Sequence, residues 1–320
     1  MMEENNKTSV KNAGDPNKIT GQSQPEVLIE CIPNFSEGRN TKIVEKIVDA
    51  FRGKDGLKLL DYSADADHNR MVVTIIGRPN VIYNAMIEAV GIAVKKIDLR
   101  THKGQHPRIG AVDVIPFVPL REIDLKPALE LAEKIAENIA YLYNLPVFLY
   151  ESSASAPHRI SLSEIRKGNF ELLADKMKDP AWEPDFGPGH PHKSAGAVAV
   201  GVRKPLIAFN INLKSNDLKA ANDIARAIRS ANGGLPAVKA LGIRLTSKNC
   251  VQVSMNITDY KQISMHRVLE TVRDLASHQG IELANSELIG LLPLQSLIDT
   301  AAESLNIDNL TSERIIETFY

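Results

Sequence analysis

The sequence predicts an α+β protein of two ferredoxin-like βαββαβ subdomains, related as a duplication, with mixed or antiparallel sheets covered by helices. Three observations carry this reading. Short apolar runs alternate with 3.6-residue periodicities in the order β-α-β-β-α-β between residues 27 and 115. The same order returns between residues 205 and 283. The chain has 320 residues, about two domains at ~150 residues each.

The elements follow in order. Residues 27–32 are mostly apolar and stop at Pro33-Asn34, which suits a buried strand. Ile43, Val44, Ile47, Val48 and Phe51 share one helical face that ends at Gly53. Residues 57–61 and 71–76 read as strands, the second stopping at Gly77. Asn80 caps a helix carrying Val81, Ile82, Ala85, Met86, Ala89, Ile92 and Ala93, and residues 111–115 form a fourth strand. A helix over 125–143, a strand over 147–150 and two short helical stretches connect the copies. The second copy has a strand at 205–211, a helix at 217–230 and a hairpin of 238–245 with 251–257. It ends with a helix at 265–279 and a strand starting at 281–283. The expected division is a disordered tail at 1–25, a first subdomain at 26–197, a second at 198–304 and a helical tail at 305–320. The first 25 residues lack the apolar surface to offset ordering entropy.

Composition excludes several classes. Hydrophobic residues make up 43% of the chain, enough for cores without a metal or disulfide staple. Thirty-eight Lys+Arg against 39 Asp+Glu give a net charge of −1, unlike a bulk nucleic-acid or polybasic membrane binder. No apolar run approaches the ~18 residues of a membrane span, and the polar N-terminus lacks a signal-peptide core. The expected compartment is the cytoplasm. The two cysteines, Cys31 and Cys250, fall in apolar strand patterns and read as buried, inert thiols. There is no G-x-G-x-x-G, Walker A or G-x-S-x-G run.

Four segments carry candidate chemistry. Residues 100–110, Arg-Thr-His-Lys-Gly-Gln-His-Pro-Arg-Ile-Gly, place His102, His106, Arg100, Arg108 and Lys103 on a helix-to-strand connection. That local positive field suits a carboxylate-bearing small molecule, and histidine suits proton transfer. His102 and His106 are four apart, but Gly104 and Pro107 interrupt any helix that would align them on zinc, so no metal site is expected. Residues 65–70 hold Asp67, Asn69 and Arg70, either a turn or a carboxylate-binding cluster. Asn34 lies in a strand-to-helix junction with free backbone N–H groups. Residues 179–196 contain four prolines, three glycines and the only tryptophan, which forbids helix and central strand. A loop this long is a binding loop or a linker.

Five collinear stretches then identify a resemblance. They are ECIPNFSEGRN, HKGQHPRIGAVDVIPFVPL, WEPDFGPGHPHKSAGAVAVGVRKPLIAFNINL, VQVSMNITD and SELIGLLPLQSLID. Together they resemble the formiminotransferase family over about residues 27–302. The resemblance implies transfer of a formimino group from N-formiminoglutamate to N5 of tetrahydrofolate, releasing glutamate, in histidine degradation. It also implies tetrahydrofolate as acceptor and a homodimer. It makes the histidine of the H-P-R motif, His106, the catalytic base. It puts folate on the stretch after D-F-G-P: Gly187, Pro188, Gly189, His190, Pro191, His192, Lys193, Ser194, Ala195 and Gly196. Animal members of the family carry an acid two positions after the aspartate ending the second strand. Counted from Asp61, Ser63 stands there, and the role passes to no single residue, with Asp65 and Asp67 both nearby. A cyclodeaminase part is absent from the 320 residues, so the product is expected to be released unconverted.

One histidine can take the N5 proton and return it to the departing amine. Arg70 and Arg108 are candidates for the donor's carboxylates, with Asn34, Asp67 and Asn69 beside them. Two alternatives remain open on sequence: formyl transfer between N-formylglutamate and tetrahydrofolate, and a folate-binding module without catalysis. A ferredoxin-like RNA binder is disfavoured, since aromatics are only 5% and no RNP pattern is present.

Overall fold

The computed structural model describes residues 27–120 and 124–319. The expected tail at 1–25 lies outside the described residues.

The first unit opens with β1 (Ile29–Cys31) and β2 (Asn34–Phe35). Pro33 has no N–H to donate, which breaks the strand there. The chain nevertheless stays in the sheet. The Pro33 carbonyl accepts from the Val73 N–H, and Asn34–Phe35 pairs with strands on both sides. In α1 (Thr41–Val48) the first turn is capped by the Asn40 side chain, which accepts from the N–H groups of Lys42 and Ile43. β3 (Leu57–Asp65) and β4 (Arg70–Gly77) form an antiparallel hairpin with Asp65 opposite Arg70. Asn69 closes its tip at φ +48°, a left-handed conformation that Asn tolerates. α2 (Pro79–Lys96) begins one residue before Asn80, the expected cap, because Pro79 fills a first-turn position that needs no N–H. β5 (Val112–Pro119) completes the unit.

α3 (Leu125–Tyr143) runs over the expected residues and buries Leu131, Ile135 and Ile139 on one face. It leads to β6 (Val147–Glu151), the short helices α4 (Leu162–Arg166) and α5 (Leu173–Lys176), and β7 (Val198–Val202). β7 lies between β5 and β6, parallel to both, and all five of its residues are buried. A strand covered on both faces reads as a plain apolar run without alternation. The expected division after residue 197 therefore cuts through the first sheet; the membership of β7 moves it beyond Val202.

The second unit has β8 (Ile207–Leu213), α6 (Leu218–Ile228), β9 (Val238–Leu245), β10 (Cys250–Ile257), α7 (Met265–Ser277) and β11 (Leu283–Ile289). Its sheet order is β11-β8-β10-β9, antiparallel throughout. α8 (Leu294–Leu305) and two 3₁₀ turns, Ser312–Arg314 and Ile316–Phe319, follow. The result is an α+β fold of two sheets, each backed by its own apolar core. Cys31 is fully buried, as expected; Cys250, at the start of β10, is only half-buried. Among the described residues no helix is long and apolar enough to cross a membrane.

Candidate active site

Three loops meet at one end of the first sheet: the β2–α1 turn, the β3–β4 tip and the α2–β5 connection. Asn69 joins them. Its Oδ1 accepts from Gly38 N–H at 3.0 Å, its Nδ2 donates to the Lys103 carbonyl at 3.0 Å, and its own carbonyl accepts from His102 Nε2 at 2.9 Å. The crevice they enclose is lined by Ser36, His68, Asn69, Arg70, His106, Arg108 and Asp113.

The two histidines of the α2–β5 connection have different fates. His102 donates from Nε2 to Asn69 and accepts at Nδ1 from Arg108 Nε at 2.9 Å, so both ring nitrogens are committed. It ties the loops together and has no lone pair left for a proton or a metal. His106 has Nδ1 at 2.7 Å from the Pro107 carbonyl. A carbonyl only accepts, so Nδ1 carries the hydrogen and Nε2 keeps its lone pair. Loss of hydration, then the charges of Arg70 and Arg166, hold its imidazole well below the ordinary histidine range. His106 is therefore neutral near pH 7, the state a proton acceptor needs. Among the described residues no group of three His, Cys, Asp or Glu is placed to hold a metal ion.

Arg70 donates from Nη2 to Asn34 Oδ1, while its Nε is buried without a partner. Burial and the Arg166 charge push its guanidinium down to about 9, so it stays charged near neutrality. Asn34, almost fully buried, is held in turn by its own donation to the Ile32 carbonyl at 2.8 Å. Sequence reasoning missed two members of this group. Asp113, on β5, is 2% exposed; its Oδ1 accepts from Ile109 N–H at 2.9 Å and its Oδ2 pairs with Arg166. Arg166, at the end of α4, leaves its own Nε buried and unpartnered. The signal for Asp113 was a carboxylate inside an apolar strand, since a buried charge demands a partner. Nothing local marked Arg166, which arrives from 53 residues away. Arg166 is paired with Asp113 while Arg70 bonds only the neutral Asn34, and each leaves its Nε without a partner.

The other candidates take supporting positions. Arg108 spans His102 and Glu171, with Nη2 at 2.8 Å from Glu171 Oε1, so its guanidinium is already occupied. Asp67 turns away from the crevice and accepts from Ser247 of the second unit through both its N–H and its Oγ. Ser63 sits within β3 opposite Val72, and Asp65 accepts from the His68 N–H at 2.7 Å.

Residues 187–196 dock on the same connection through the backbone. Leu99 N–H donates to the Ser194 carbonyl and Ala111 N–H to the Ala195 carbonyl. His192 and Gly196 exchange two backbone bonds, and the His192 ring accepts from Ser194 and Ala195 N–H groups. Gly196 takes φ +69°, and a Cβ there would lie 2.0 Å from the Ile109 carbonyl oxygen; one on Gly110 would lie 1.8 Å from that of Ala197. Only glycine lets the strands approach this closely. Gly187, Gly189, His190 and Lys193 are exposed, with Pro188 and Pro191 between them half-buried. Phe186 packs on the first core. Trp182 is covered by Lys176 Nζ, 3.6 Å from its ring centre, and by His158.

Comparison with known proteins identifies the family. Residues 28–203 match the N-terminal subdomain of the formiminotransferase domain, and residues 208–316 match the formiminotransferase domain proper. A glutamate formimidoyltransferase of Streptococcus pyogenes serotype M1 is 41% identical over 282 residues, covering 88% of this chain and 94% of that protein. One from Thermoplasma acidophilum is 40% identical over 292 residues, covering 91% and 96%. The formimidoyltransferase-cyclodeaminase of Rattus norvegicus is 40% identical over 281 residues, 86% of this chain but 52% of the rat protein. With two consecutive family matches spanning nearly all the described residues, the chain belongs to the formiminotransferase family.

Proposed function

We propose that this protein transfers the formimino group of N-formiminoglutamate to N5 of tetrahydrofolate, giving 5-formimino-tetrahydrofolate and glutamate in histidine degradation. The observation that carries the role of His106 is its free Nε2, held neutral in a crevice beside the charges of half-buried Arg70 and Arg166. N5 attacks the formimino carbon, and its proton passes to His106 Nε2. The bond from that carbon to the glutamate nitrogen then breaks, and the departing amine gains a proton. Arg70, with an unpartnered buried Nε, takes a carboxylate of the donor. Arg108 acts through His102, and Asn34 orients Arg70. Residues 187–196 bind the folate, with exposed Lys193 towards its glutamate tail. Holding both substrates in register supplies much of the remaining acceleration. The protein acts in the cytoplasm as a homodimer on this reading.

An absorbance assay with tetrahydrofolate and either N-formiminoglutamate or N-formylglutamate tests it. Turnover with the formimino donor is the expected result. Turnover with the formyl donor alone would replace this reading with formyl transfer, and folate binding without turnover of either would leave a binding module.

A further inference from the structure

His68 lines the same crevice as His106 and is not used by the mechanism above. It sits at the β3–β4 tip, its ring centre 6.1 Å from that of His106. Its Nε2 is buried and has no hydrogen-bond partner. A buried ring nitrogen without a partner is costly, and it is usually matched by something that enters the site. The reaction has two proton events on two nitrogens joined to the same carbon: N5 must lose a proton and the glutamate nitrogen must gain one.

We propose that the two events are divided between two rings: His106 takes the N5 proton and His68 gives one to the departing amine. This rests on the formimino-transfer reading. The steps balance. The N5–H bond breaks with its proton moving to His106 Nε2, and His68 Nε2–H transfers its proton to the glutamate nitrogen as the carbon–nitrogen bond breaks. The pair then holds one proton on the wrong ring, and its passage from His106 to His68 restores the start.

The surrounding charges favour that starting arrangement. The carboxylates of Asp65, Glu287 and Asp67 lie within electrostatic reach of His68, opposed by Arg70. Arg70 and Arg166 face His106, with Asp113 paired to Arg166 behind them. Both imidazoles are pushed down by burial, His106 much the further. Of one proton shared by the pair, His68 is the holder. Donor carboxylates arriving beside Arg70 add negative charge and draw that proton in. Glu287 comes from β11, so the second unit contributes to the charge that holds it.

The test begins with wild-type turnover of N-formiminoglutamate, whose absence would refute the transfer reading rather than this one. With that activity established, His68→Gln is expected to lower kcat by about 100-fold, to leave the KM for tetrahydrofolate within about threefold, and to remove the alkaline limb of the kcat–pH profile. A variant with wild-type kcat and both limbs intact would return both proton transfers to His106. A loss confined to KM would make His68 a binding group and overturn the proposal equally. Should the variant fail to fold, the wild-type protein still decides. With ¹⁵N-labelled histidine and saturating glutamate, His68 is expected to take its proton at higher pH than His106, and the reverse order refutes the assignment.

Discussion

His102 and His106 are four residues apart and chemically identical, and the structure separates what each would cost to lose. His102→Ala removes a donor to the Asn69 carbonyl and an acceptor for Arg108 Nε, both at 2.9 Å. Each buried group left unpaired costs about 1–3 kcal/mol, so the sum is about 2–6 kcal/mol. At ~2 °C per kcal/mol for a chain of this size, the melting temperature falls by about 4–12 °C. His106→Ala removes one bond, to the carbonyl of the next residue, worth about 0.5–1.5 kcal/mol, and shifts the melting temperature by under ~3 °C. Turnover ranks the other way. A positioned general base contributes ~10²–10⁴-fold, so His106→Ala loses at least about 100-fold in kcat. His102→Ala, assayed well below its own melting temperature, loses much less. Calorimetry and saturating-substrate kinetics on the two variants give four numbers. An active His106→Ala protein, or an inactive His102→Ala protein with unchanged melting temperature, refutes the assignment of roles.

Three further outcomes are expected. His68, His102 and His106 all lie below the ordinary value of 6.5 in the folded chain, so below that pH the unfolded chain binds more protons. Stability is then full above about pH 6.5 and falls as pH drops towards the folded values; denaturant titrations from pH 7 to 5 should show it, with a shallower slope in His106→Asn, and an equal slope would contradict the shift. Gly196→Ala forces a Cβ to within 2.0 Å of a carbonyl oxygen at φ +69° and should cost about 1–3 kcal/mol, with faster proteolysis in residues 187–196; unchanged stability would mean that the loop does not dock there. Lys193→Ala should weaken binding of polyglutamylated folate more than of monoglutamylated folate, as measured by calorimetry, because more carboxylates face the lost charge; equal effects place Lys193 away from the tail.

Helices with one apolar face were legible almost to the residue, α3 and α6 above all, since a 3.6-residue stripe has few other readings. The strands that escaped did so for identifiable reasons. β7 is uniformly buried and carries no alternation. β11 runs through the polar residues Asn285, Ser286 and Glu287 at a sheet edge, with an irregularity between Leu283 and Ser286, so its pattern fades after Leu283. β2 hides behind Pro33, which interrupts donation but not the path of the chain. In the site, residues close in sequence were found together: His106 with Arg108, and Asn69 with Arg70. Which histidine is free, and which arginine is already engaged, depends on Asn69, Glu171 and Arg166. Those contacts join segments 33 to 63 residues apart, a distance over which no local pattern speaks.

Asp67 and Ser247 have a further consequence, for the order in which the molecule is made. The bonds between them join the tip of the catalytic hairpin to the second unit across 180 residues. A ribosome adding 5–20 residues per second needs roughly 10–35 s to cover that interval. During it the first sheet can fold around its own core, yet the hairpin bearing His68, Asn69 and Arg70 lacks its outer anchor. Glu287, which helps hold the proton on His68, emerges later still. The nascent first unit is thus stable before it is competent, and the crevice reaches its working geometry only when nearly the whole chain has left the exit tunnel.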